Sequence, residues 1–165
     1  MQPPLGKFND PTDEKSQPAV AEKKVQQPCA IAAVLVVDDE HLVRIMVQLC
    51  LERNGFDVWI ARNCQEAVDI HRQHREEIDI VLIDVHMPGL DELQALKGMR
   101  ELNPNILACF MSSDTGADKW EDLLRRGGAY SIAKPFRLDE LANVLRLMVQ
   151  GVPAAVLPSG RAGQK

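Results

Sequence analysis

The chain has 165 residues, of which 45% are hydrophobic and 26% charged, and a formal net charge of −5. That is room for one domain with a full core, and a composition that is neither fibrous nor wholly disordered. The acidic balance argues against a broad nucleic-acid-binding face, which needs clustered Lys and Arg to displace counterions, so DNA is not expected as a direct partner. Cys29, Cys50, Cys64 and Cys109 lie far apart and form no CxxC pair, which reads as reduced, mostly buried thiols rather than a zinc site. Met1-Gln2-Pro3-Pro4 does not open a leader pattern, and the longest apolar run, Cys29 to Val37, is too short to cross a bilayer. The expected compartment is the cytoplasm, with no membrane partner.

Residues 1–29 are rich in Pro, Gln, Lys, Glu and Asp, with few large apolar side chains to offset the entropy of ordering, and are expected to form a flexible arm. Ala30 to Val37 is apolar throughout and predicts a buried strand, β1, ending at Asp38-Asp39-Glu40. His41 to Asn54 carries Leu42, Ile45, Met46, Leu49 and Cys50 at helical spacing, which predicts a helix, α1, buried along that face and closed by Gly55. Phe56 to Ala61 predicts β2. Gln65 to His74 predicts α2, with Ala67, Val68, Ile70 and His71 available for its inner face and with His71 and His74 at the surface or its boundary.

Ile78 to Ile83 predicts β3, which delivers Asp84 at its end before Met87-Pro88-Gly89 breaks the run. Asp91 to Asn103 predicts α3, on Leu93, Leu96, Met99 and Leu102, stopped at Pro104. Ile106 to Met111 predicts a central strand, β4, ending at Ser112-Ser113-Asp114. Ala117 to Arg126 predicts α4. Ala129 to Ala133 predicts β5, ending at Lys134-Pro135, and Leu138 to Gln150 predicts α5 on Leu141, Val144, Leu145 and Met148. The expected organisation is an arm (1–29), one domain (30–151) and a flexible tail (152–165).

Five apolar strands alternating with five amphipathic helices imply an α/β fold, a doubly wound parallel sheet with helices on both faces. In such sheets ligands bind at the carboxyl ends of the strands. Asp38, Asp39, Asp84, Ser112 and Lys134 each lie at such an end. Singly, each has an ordinary explanation: a helix cap, a turn former, a solvated charge. Together, at four strand ends, they imply a site. Three clustered carboxylates repel one another unless a cation joins them, and hard oxygen donors with room for water suit Mg²⁺ or Mn²⁺.

Asp38-Asp39, Asp84 followed by Met87-Pro88-Gly89, Ser112 after an apolar strand, and Lys134-Pro135-Phe136 together resemble the receiver domain of two-component response regulators, of the single-domain chemotaxis type. The likeness runs from about Ala32 to Gln150. It implies a flavodoxin-like fold with strand order 2-1-3-4-5 and five flanking helices. It also implies that Asp84 accepts a phosphoryl group from a sensor histidine kinase or a phosphotransfer protein. By the same resemblance, Asp39, Asp84 and the backbone carbonyl of His86 hold Mg²⁺, with Asp38 acting mainly through bound water. Lys134 pairs with Asp84 and then with a phosphoryl oxygen, and Ser112 reaches that group after transfer. The protein would then be no enzyme beyond its own phosphorylation and dephosphorylation. It would signal to a downstream effector protein through an α4-β5-α5 face.

Three positions depart from the commonest family pattern. The aromatic residue expected three before the lysine is Ser131, and Tyr130 stands one earlier, either as core or leaving the switch to α4. Glu92 replaces a usual glycine, which the first turn of α3 tolerates. His86 and Asp114 occupy the positions that flank the path of hydrolytic water in this family, and are expected to set the phosphoryl lifetime. The competing readings are a phosphorylation-independent module of the same fold and an aspartyl-phosphate phosphohydrolase, which would need an acid/base carboxylate where Val85-His86 stands.

Overall fold

The computed structural model describes residues 30–85, 87, 92–112 and 130–153. Within them lie β1 (Ala33–Val37), α1 (His41–Arg53), β2 (Asp57–Ala61), α2 (Cys64–Gln73), β3 (Ile80–Asp84), α3 (Glu92–Leu102), β4 (Leu107–Ser112), β5 (Tyr130–Ala133) and α5 (Leu138–Val149). The expected α4, residues 117–126, falls outside the described residues. So do the arm, most of the tail, His86 and Asp114. All five strands pair in parallel in the order β2-β1-β3-β4-β5. Among the described residues no helix is long and apolar enough to cross a membrane.

The continuous apolar strands follow from their place in the sheet. Every residue of β1 and β3 is buried, because helices cover both faces. Alternation divides these side chains between two cores. Val34, Val36, Ile80, Leu82, Cys109 and Met111 pack with Val47 and Leu51 of α1 and with Leu141 and Leu145 of α5. Leu35, Val37, Val81, Ile83, Ala108 and Phe110 pack with Ala67 of α2 and with Leu96 and Met99 of α3. The α5 stripe is buried as the sequence implies. Gly55 turns the chain from α1 into β2 at φ +86°, a conformation that glycine adopts without strain.

One expected face is corrected, and on a second helix, whose inner face is as expected, one residue lies deeper than expected. α1 buries Val47 and Leu51, with Val43 packed against them, while Leu42, Met46 and Leu49 are exposed. The helix therefore sits rotated from the predicted stripe. Its apolar residues run almost all the way round, so spacing alone left the inner face ambiguous, and packing against the sheet and α5 selects Val47 and Leu51.

On α2, His71 is fully buried rather than at the boundary, and neither ring nitrogen has a hydrogen-bond partner among the described residues. His74 stays at the edge, stacked on Trp59 with ring centroids 3.9 Å apart. Burial pushes the His71 pKa down from its ordinary value.

The linkage has a definite sign. The unfolded chain protonates His71 at about pH 6.5 and the folded chain only below that, so this contribution to stability is whole above about pH 6.5 and drains as pH falls. Denaturant unfolding of the wild type and His71→Leu should show a difference that moves in favour of the variant between about pH 7.5 and about pH 5. An equal difference at both values would contradict the buried neutral imidazole.

Candidate functional site

The winding of the chain reverses between β1 and β3, which are hydrogen-bonded neighbours with Val37 opposite Ile83. In an open α/β sheet a crevice forms at that reversal, beyond the carboxyl ends. Strand alternation then selects what enters it. Asp38, Asp84 and Lys134 each follow by two residues a side chain of the α1/α5 core, namely Val36, Leu82 and Ile132, and so emerge on one side of the sheet. Ser112 follows Phe110, which belongs to the other core, and is itself buried.

Lys134 joins the two buried carboxylates. Its Nζ donates to Asp84 Oδ2 at 3.0 Å and to Asp38 Oδ2 at 3.2 Å. Asp38 Oδ1 also accepts the backbone N–H of Glu40 at 2.8 Å. Burial alone lowers the Lys134 pKa, but the hydrogen bond and charge of Asp84, together with Asp38, outweigh it and hold the ammonium above its usual range. Asp39 stands exposed at the mouth. One carboxylate oxygen from each of Asp38, Asp39 and Asp84 lies within 4.8 Å of the others.

This donor set fits Mg²⁺ or Mn²⁺. Three hard oxygens converge, one of them open to solvent, and a small divalent ion commonly keeps several waters beside one or two carboxylates. Both oxygens of Asp38 already accept hydrogen bonds, and the residue is fully buried.

The sequence profile of the response regulator receiver domain matches residues 34–146. This chain belongs to that family. The receiver is 30% identical over 113 residues to the sporulation initiation phosphotransferase F of Bacillus subtilis (strain 168), covering 68% of this chain and 90% of that protein. A solved response regulator from Thermotoga maritima superposes with a TM-score of 0.64 at 33% identity, over 72% of this chain and 98% of the other. The CheX-CheY-BeF3-Mg complex from Borrelia burgdorferi contains a similar chain, with a TM-score of 0.65 at 27% identity, over 73% of this receiver and 90% of that chain. Some relatives are longer, and the receiver spans 26% of the regulatory protein AtoC of Escherichia coli.

Two further residues of the receiver bear on the site. Tyr130 is buried in the α1/α5 core, and its hydroxyl donates to the Val152 carbonyl at 2.8 Å, while Ser131 is exposed. Tyr130 thus ties the segment just after α5 to the foot of β5. Arg44, in the first turn of α1, donates from Nη1 to the Asp38 carbonyl at 2.6 Å, a contact that the motif-based reading missed. One signal was available: a cation placed where the helix dipole favours an acid.

Proposed function

We propose that the receiver is a response regulator that takes a phosphoryl group onto Asp84 and signals through the resulting change in its α4-β5-α5 face. The observation that carries this reading is the Lys134 ammonium held against Asp84 and Asp38, with Asp39 completing the acidic cluster. Such a site neutralises charge around a nucleophilic carboxylate, which is what phosphoryl transfer requires of a protein.

In the proposed reaction an Asp84 carboxylate oxygen attacks the phosphorus of a phosphohistidine. The P–N bond breaks, the imidazole leaves with its electron pair, and an acyl phosphate forms. Mg²⁺, or Mn²⁺, would offset charge on the phosphoryl oxygens, held by Asp39, Asp84 and the backbone carbonyl of His86, with Asp38 acting through water. Lys134 exchanges one carboxylate contact for a phosphoryl oxygen. Ser112 donates its hydroxyl to another, and the segment after β4 moves with it.

The chain is then a phosphoacceptor whose only catalysis is of its own phosphorylation and dephosphorylation. Its donor is a sensor histidine kinase or a phosphotransfer protein and its output a downstream effector protein, in the cytoplasm, with neither nucleic acid nor membrane as direct partner. The phosphotransferase and CheX-CheY names among its relatives are in keeping with this. Residues 30–151 form the working domain, flanked by the arm 1–29 and the tail 152–165. His86 and Asp114 set how long the phosphoryl group lasts.

Intact-mass measurement after incubation with acetyl phosphate and Mg²⁺ tests the proposal. One phosphoryl adduct is expected on the wild type and none on Asp84→Asn. No adduct on either would leave a phosphorylation-independent module, and rapid turnover of varied phosphate esters a hydrolase.

A further inference from the structure

We propose that Arg44 is a positioning residue of the metal site and sets its affinity for the divalent cation. The inference rests on the reading of Asp38, Asp39 and Asp84 as that site.

β1 stops at Val37 and α1 starts at His41, so the two aspartates sit in a three-residue connection. Asp38 is anchored there at nearly every polar atom. Its N–H donates to the Ala61 carbonyl at 3.2 Å, Oδ1 accepts from Glu40, and Oδ2 accepts from Lys134. Its carbonyl remains. The Arg44 N–H is taken by Glu40 O at 3.1 Å, so the helical ladder begins two residues short of the Asp38 carbonyl. The Arg44 side chain closes that gap with its 2.6 Å bond to the Asp38 carbonyl. One residue therefore ties the first turn of α1, through its backbone and its side chain, to both ends of the connection that carries two of the three carboxylates.

Neither the helix dipole nor an acidic neighbour in the first turn accounts for a cation at this place, although Arg44 Nη2 also lies 3.4 Å from His41 Nδ1. The first turn of α1 contains no acidic residue, and the Glu40 side chain makes no capping bond. An arginine near the positive end of a helix dipole is mildly unfavourable. Lys134 and Arg44 also act on different atoms. Lys134 occupies carboxylate oxygens of Asp38 and Asp84, whereas Arg44 holds a backbone carbonyl and leaves the carboxylates open to an arriving ion. It can thus steady the ligands without competing for them.

The two ways in which Arg44 could matter have opposite signs. As a nearby positive charge it repels Mg²⁺, so its removal would tighten binding. As a clamp it preorganises the ligands, so its removal weakens binding. The experiment is calorimetric titration of the full chain with MgCl2, alongside thermal unfolding to confirm the fold. Arg44→Met should bind Mg²⁺ about tenfold more weakly, the scale of one lost charge-assisted hydrogen bond. Arg44→Lys, which keeps one donor and the charge, should recover part of that loss. The Mg²⁺ concentration giving half-maximal phosphorylation by acetyl phosphate should rise in parallel with Kd.

Unchanged or tighter binding in Arg44→Met overturns the proposal. Should that variant fail to fold, Arg44→Lys decides alone, and wild-type affinity in a protein that lacks the guanidinium fork would overturn it. Asp39→Asn serves as the control on the site itself. If Mg²⁺ binding survives that substitution, the metal reading fails; if it is lost while Arg44→Met binds normally, only the role of Arg44 does.

Discussion

Lys134→Met is expected to slow phosphorylation of Asp84 by about 10²- to 10³-fold, the cost of removing one preorganised donor from a developing anionic centre. It should also destabilise the unphosphorylated domain. Asp38 is fully buried and Asp84 nearly so, and both lose the ammonium that bonds them at 3.2 and 3.0 Å. Breaking a fully buried pair typically costs about 3–5 kcal/mol, but a quarter of the Lys134 side chain remains exposed, so solvent screening reduces the expected loss to about 2 kcal/mol. Mg²⁺ should restore part of it, because the same carboxylates then pair with the ion.

The pH dependence follows the raised Lys134 pKa. Below the unfolded lysine value, about 10.4, the ammonium is present in both states and its stabilisation is complete; it is lost as pH rises through the folded pKa above that value. Denaturant unfolding of both proteins with and without Mg²⁺, repeated toward alkaline pH, would measure these effects. A Lys134→Met variant of wild-type stability that is insensitive to Mg²⁺ would contradict the electrostatic account of the site.

The second large effect lies on α1. Leu51→Ala should lower unfolding stability by about 3–5 kcal/mol, since this side chain is fully buried between the sheet and α5 and its truncation leaves a cavity. By contrast, replacing Leu42, Met46 and Leu49 with Gln should each change stability by no more than about 0.5 kcal/mol, as expected of exposed positions given a good helix former. Urea unfolding of the four variants separates the two faces of the helix. A costly Leu42→Gln with a mild Leu51→Ala would mean that α1 packs on the stripe its sequence spacing favours.

That contrast marks where the sequence was legible. β1, β3 and β4 declared themselves as unbroken apolar runs because both faces of a central parallel strand are covered, and α5 showed its inner stripe because its outer face is polar. α1 did not, since apolar side chains on both of its faces give no direction. Glycine and proline punctuation located most element ends, though β1 to β4 begin one to three residues later than the apolar runs that announce them.

The acidic cluster and Lys134 could be read from strand ends alone, because the topology leaves those ends on one edge. The details around them could not. Arg44 reaches its target through a side chain whose rotamer no spacing rule specifies. His71 lies deeper than a boundary residue, with neither imidazole nitrogen partnered among the described residues, which runs against the usual pairing of buried polar groups. Tyr130 was left with two fates, and the structure places it in the core with its hydroxyl spent on Val152.

The central claim is that Asp84 carries the phosphoryl group, and chemical mapping tests it most directly. Protein incubated with acetyl phosphate and Mg²⁺ is treated with borohydride, which reduces an acyl phosphate to an alcohol and so converts a phosphorylated aspartate to homoserine. Peptide mass spectrometry should then find homoserine at position 84. Homoserine at Asp38 or Asp39, or at no position in a protein that has gained a stable phosphate, would contradict the account.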